Sequence, residues 1–116
     1  MSNRMKLTFL GTGTSTGVPE IGCKCEVCTS TDPRDARLRS SALLEDGNTT
    51  ILIDCGPDFR MQILRADVKK IDAVVMTHKH YDHLVGIDDL RPYTFSKELP
   101  IYADRETEMQ IHSMFP

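Results

Sequence analysis

Apolar residues arrive in short bursts along this chain, each closed by a polar or glycine-bearing break. Leu7, Phe9 and Leu10 predict a strand from Lys6 to Leu10. Two more strands are predicted from Ser40 to Leu44 and from Thr49 to Ile53. Between them lies Glu45-Asp46-Gly47-Asn48, and Asp-Gly between apolar runs is a hairpin signal. The mostly apolar run from Ile71 to Met76 reads as a buried strand, and Leu99 to Ala103 as a last short one. Helical spacing appears three times. Phe59, Ile63 and Leu64 share a face between Asp58 and Ala66, with Asp58 as the cap. Leu84, Ile87 and Leu90 share a face of a helix that Pro92 ends, because proline cannot continue it. Ile111, Met114 and Phe115 share a face between Glu106 and Phe115, with His112 beside it as a structural residue. There is no internal repeat, low-complexity segment or second domain.

The chemistry concentrates where the fourth strand gives way to a helix. Thr77-His78-Lys79-His80-Tyr81-Asp82-His83 holds three of the four histidines of the chain. Catalytic groups collect at such strand ends in open α/β sheets. His78 and His80 are two residues apart, so extended backbone points both rings to one side. Two neutral imidazoles so placed suit a zinc-class ion. Asp82 and His83 follow as the chain turns, and could offer a carboxylate and an imidazole to a second ion. A metal pair activates a water and steadies both the attacking and the leaving oxygen.

His78-x-His80-x-Asp82-His83 resembles the HxHxDH signature of the metallo-β-lactamase superfamily. The resemblance implies an α/β fold, an αββα sandwich, of which this chain supplies only the N-terminal half. It implies that His78 and His80 bind the first metal and that Asp82 and His83 bind the second, both zinc or manganese. Asp82 would also hold the attacking water as the catalytic carboxylate. Further ligands of that family come later than His83 and have no match here. Such a domain commonly runs to about 200–250 residues, against 116 here. Residues 1–116 are therefore expected to be the first half of one domain, with an open sheet face and an incomplete metal site.

Two earlier segments narrow the resemblance. Gly11-Thr12-Gly13-Thr14-Ser15-Thr16-Gly17-Val18-Pro19 follows the first strand. Its third glycine comes one residue late for a dinucleotide fingerprint, and it leads into Val-Pro instead of a helix, which excludes that reading. It serves either as a tight turn or as a substrate-facing loop. Cys23-x-Cys25-x-x-Cys28, in an insert at residues 20–30, has the clustering of a structural zinc site. Within the chain, Cys55 or His112 could be a fourth ligand; otherwise Cys55 is a small buried hydrophobe. Loop and insert together are similar to the phosphoribosyl 1,2-cyclic phosphate phosphodiesterases. That likeness implies a small phosphodiester substrate, and a downstream histidine as the fourth zinc ligand. Asp54, before Cys55-Gly56, resembles the family's Asp-x-Gly corner, which implies orienting the metal ligands from behind. An ordinary turn aspartate is the other reading.

Arg34, Arg37 and Arg39 lie in a polar linker read as solvated surface, as are Asp89 and Arg91 at a helix end. The net charge of −3 lacks the basic footprint of a nucleic-acid binder, without excluding a local basic groove. No apolar run approaches the ~20 residues of a membrane span, and the lead-in from Met1 carries no signal-peptide core. The cytoplasm is the expected compartment. Two rivals remain: a transfer-RNA 3′-processing endonuclease, and a non-catalytic zinc-bound module. Homo-oligomer formation is open.

Overall fold

The computed structural model describes residues 4–95 and 97–115. The readings placed on Met1 and on the chain end at Pro116 lie outside them. Five strands form one mixed sheet in the order β1-β2-β3-β4-β5. They are β1 (Met5–Gly11), β2 (Ser41–Asp46), β3 (Thr49–Ile53), β4 (Ala73–Val75) and β5 (Ile101–Tyr102). The β1/β2 and β2/β3 pairs are antiparallel, and β3/β4 and β4/β5 are parallel. Strands β1, β3, β4 and β5 therefore run the same way, and their C-terminal ends share one edge of the sheet.

The hairpin forms one residue later than Asp-Gly suggests. Asp46 pairs with Thr49, so Gly47 and Asn48 are the central residues. Gly47 takes φ 59°, the positive value that a tight hairpin turn asks of its first central position. The α1 helix (Phe59–Ala66) buries Phe59, Gln62 and Ile63. Leu64 is exposed, so the buried face is i, i+3, i+4 and carries a glutamine where leucine was expected. The Gln62 side-chain amide donates 2.8 Å to the Arg39 carbonyl, which satisfies it. Asp58 makes no cap bond. It is recruited by Arg39 instead, accepting from the backbone N–H at 2.9 Å and from the guanidinium at 3.0 Å. Arg39 is thus a half-buried clamp rather than solvated surface.

The segment after the histidine motif differs from its expected form. Only Tyr81–Leu84 is α-helix (α2), and Val85–Thr94 continues as 3-10 helix straight through Pro92. Leu84, Ile87 and Leu90 recur every three residues, which is the repeat of a 3-10 helix rather than of an α-helix. Leu84 and Leu90 are buried, and Ile87 packs beside them. Asp88 and Arg91 pair on the exposed side at 3.3 Å, and Asp89 is exposed. The last helix, α3 (Arg105–Met114), starts at Asp104, whose carboxylate accepts the Thr107 N–H at 2.8 Å. His112 is exposed on α3, which corrects its reading as a structural residue.

One face of the sheet carries the core. Leu43, Leu52 and Val74 lie across it and pack with Phe59, Ile63, Leu84 and Leu90. The other face is also apolar. Phe9, Ala42, Ile53, Val75 and Tyr102 form one row across all five strands, and Leu7, Leu44, Ile51 and Ala73 form the next. Phe9 is 69% exposed and Tyr102 60%. A sheet apolar on both faces is one built to be covered on both, as the sandwich expectation requires. Among the described residues no helix is long and apolar enough to cross a membrane.

Candidate metal centre

Asp54 is the residue on which the site is hung. It follows β3 with φ 63°, a left-handed conformation that aspartate tolerates better than most residues. Its backbone N–H still donates 2.9 Å to Val75 of β4. Its side chain is buried, and its carboxylate meets three donors at 2.7 Å: the Thr77 N–H, the Thr77 hydroxyl and His83 Nδ1. A buried carboxylate so satisfied is a fixed point. Asp54 is therefore more than an ordinary turn aspartate.

The histidine motif is pressed onto this corner by backbone contact. The Cys55 N–H donates to the His83 carbonyl, and the Gly86 N–H to the Cys55 carbonyl, both at 2.8 Å. A Cβ on Gly56 would overlap the Asp82 carbonyl, and one on Gly86 would overlap the Gly56 carbonyl. Two glycines thus let two chain segments touch directly, and the touch sets the height of Asp82 and His83 above the sheet.

The structure gathers the predicted side chains. The His78 ring centroid lies 4.5 Å from that of His80 and 4.0 Å from that of His83. His83 Nε2 and Asp82 Oδ2 are 3.1 Å apart. Zinc-class bonds of about 2.0–2.1 Å place two tetrahedral ligands about 3.3 Å apart, so this pair is spaced as neighbouring donors on one ion. Asp54 occupies Nδ1 of His83 and leaves Nε2 facing Asp82, the arrangement by which a carboxylate orients a metal-binding imidazole. Asp82 and His83 are thus spaced to share a divalent transition metal, while among the described residues His78 and His80 do not join them in a group of three mutually close donors. Thr77, two residues beyond β4, has no role in the sequence reading; its place directly before the first histidine is the available signal.

The cysteine insert is a separate centre. Cys23, Cys25 and Cys28 offer sulfur atoms all within 4.8 Å of one another, the one such three-donor group among the described residues. The Cys28 N–H donates to Cys25 Sγ and the Glu20 N–H to Cys28 Sγ, both at 3.4 Å. The first of these, with hydrogen bonding from Cys23 and Cys28, holds the Cys25 thiol below its ordinary range. That favours the thiolate, the form that binds metal. Neither proposed fourth ligand within the chain joins the cluster: Cys55 is fully buried in the core, where desolvation pushes its thiol up, and His112 lies beside Leu99 and Ile101.

The glycine loop is bound to the arginine linker. Gly13 donates to the Leu38 carbonyl at 2.7 Å, and Val18 and Arg37 exchange backbone bonds at 2.8 Å. Arg37 also donates to the Thr12 hydroxyl at 2.9 Å, and Arg39 to the Ser15 carbonyl at 3.1 Å. The loop follows β1, so it lies on the same sheet edge as the histidines.

The chain is similar to known proteins in sequence and in fold. A model of the "Beta-lactamase superfamily domain" matches residues 49–116, more than half of the chain. A crystal structure described as a new diphosphatase from the PhnP family superimposes with a TM-score of 0.94 at 50% identity. It takes in 97% of this chain and 46% of that one. Zn(2+)-bound PqqB from Methylobacterium extorquens superimposes at 0.79 with 25% identity, over 95% of this chain and 40% of that one. An octanoyltransferase of Porphyromonas gingivalis is 52% identical over 102 residues, 87% of this chain but 21% of that protein. A ribonuclease Z of Listeria monocytogenes is 35% identical over 88 residues, 74% of this chain and 24% of that protein. The chain thus spans less than half the length of each of these.

Proposed function

This chain belongs to the beta-lactamase superfamily, and on that premise we propose that it supplies the first half of a metal-dependent hydrolase acting on small phosphodiesters. Three observations support the half-domain reading: the doubly apolar sheet, the open Phe9–Tyr102 row and the 46% share of the diphosphatase structure. His78 and His80 would hold one divalent transition metal, zinc or manganese, and Asp82 and His83 a second. Cys23, Cys25 and Cys28 would hold a structural zinc. The observation that carries the reading is the Asp82–His83 pair at 3.1 Å, backed by buried Asp54 on the opposite ring nitrogen.

When bound, the metals supply Lewis acidity that activates water at neutral pH and neutralises charge on a phosphoryl group. The residues do the rest. Asp54 holds His83 in one orientation, so no reorganisation is needed as charge develops. Asp82 accepts a hydrogen bond from the attacking water and aims it at phosphorus. The shared sheet edge brings the Thr12–Ser15 loop to the same side, where its hydroxyls can meet phosphoryl oxygens. Free cysteines fit a reducing, cytoplasmic setting.

The resemblance to a diphosphatase favours a second substrate of the same class, a diphosphate linkage, cleaved by the same attack on phosphorus. The likeness to ribonuclease Z keeps structured RNA as a third. The natural full-length protein should be offered a cyclic phosphodiester, a diphosphate ester and a precursor transfer RNA. Hydrolysis of one of the small phosphates, reduced about 100-fold or more by His78→Ala/His80→Ala, is the expected result. Salt-sensitive RNA cleavage alone would select the endonuclease. Full metal loading with no hydrolysis of any of the three would leave a zinc-bound module and end the hydrolase reading.

A further inference from the structure

We propose that Thr77 is a positioning residue through which the buried carboxylate of Asp54, which holds His83 directly, also fixes the tautomer of His78. The argument is a count of protons. A carboxylate only accepts hydrogen bonds, and a threonine hydroxyl has one proton to give. The Thr77 hydroxyl lies 2.7 Å from Asp54 Oδ2, so its proton is committed there. The same hydroxyl lies 2.9 Å from His78 Nδ1. With its proton committed, it can only accept, so Nδ1 of His78 must carry the hydrogen. His83 meets Asp54 Oδ2 directly at 2.7 Å through its own Nδ1, which must likewise carry a hydrogen. His78 then presents an unprotonated Nε2.

The chain His78 Nδ1–H, Thr77 O–H, Asp54, H–Nδ1 His83 ties together two side chains that the proposed function assigns to different metals. A free neutral imidazole favours the proton on Nε2, so this network reverses the ordinary preference in His78 before any metal arrives. His80 is the built-in control: among the described residues its ring makes no hydrogen bond, only an edge contact with His78. Thr77 is exposed, and its own N–H holds Asp54 independently of the hydroxyl. Exchanging the hydroxyl for a methyl therefore leaves the backbone anchor in place.

The consequence for metal affinity rests on the hydrolase reading; the tautomers do not, and the experiment keeps them apart. Nitrogen-15 spectra of the histidine rings in the metal-free full-length protein, at a pH where imidazole is neutral, report which nitrogen is protonated. Wild type and Thr77→Ser should show Nδ1–H for His78, with His80 in the ordinary mixture. Thr77→Val should return His78 to mostly Nε2–H and leave His83 unchanged. Zinc affinity should fall about 10-fold in Thr77→Val and recover in Thr77→Ser, the range of other partners that orient metal ligands. An Nε2–H tautomer for His78 in wild type, or an unaltered His78 in Thr77→Val, overturns the proposal. The stated tautomers in a protein that hydrolyses nothing would uphold the Thr77 relay and remove the hydrolase.

Discussion

The two candidate metal regions are built in opposite ways. The thiol cluster spans six residues of one loop, and its hydrogen bonds come from Glu20 and from within itself. The histidine region draws on the ends of two parallel strands, the α2 turn and a buried aspartate 29 residues from the histidine it holds. A local knot of soft ligands can gather around an ion as the ion binds, since binding and ordering are one event. A site hung on a buried carboxylate is set before any ion comes and fails when the packing beneath it fails. The difference therefore predicts which perturbations reach which region.

The largest effect is expected at Gly86. Gly86→Ala drives a Cβ into the Gly56 carbonyl, backbone against backbone with no flexible side chain to yield. It should cost about 3 kcal/mol by chemical denaturation and strip metal from the histidine region, with metal at the cysteines retained. Loss of both metals together, or of neither, would break the contrast. Next comes Cys25→Ser, which removes the thiol held below its ordinary range by the Cys28 N–H. Metal analysis should show the cysteine-bound ion lost, limited proteolysis should open the 20–30 loop, and histidine-site affinity should change less than about twofold, as for uncoupled sites.

The smallest effect is expected from a control at the far end of the sheet. Asp72 accepts the Thr50 N–H at 2.7 Å and pairs with Lys70 and Lys97. The Thr50 bond first, then the two lysines, hold its carboxyl well below the usual carboxylate range. A depressed folded pKa means a contribution fully present above the unfolded value of about 4 and lost as pH falls through the lower folded one. Asp72→Asn should therefore flatten the acid limb of stability measured from neutral pH downward, with both metal contents unchanged. A variant whose acid limb matches wild type would show that this carboxylate is not a source of acid sensitivity.

Much of this was legible before any coordinates. The strand bursts lie where Leu43, Leu52, Val74 and Ile101 actually pair, because a sheet apolar on both faces leaves short apolar runs in the sequence. The histidine and cysteine groups could be read from spacing, since their members are near neighbours in the chain. What escaped were choices made between distant segments. Asp58 looks like a helix cap until Arg39, 19 residues away, is found to have claimed it. The Leu84-Ile87-Leu90 run reads as α-helix, although its three-residue spacing already carried the 3-10 repeat.

By itself the sequence determined the candidate ligand types, their order and the short-range geometry that brings His78 toward His80 and Cys23 toward Cys28. Those follow from covalent spacing and backbone period alone. Tertiary structure alone decided that Asp54 stands behind His83 and that Thr77 lies between Asp54 and His78. Those contacts join β3 to the end of β4. They exist only because parallel pairing of β3 with β4, and two glycines without side chains, place the corner of one strand against the turn after the other.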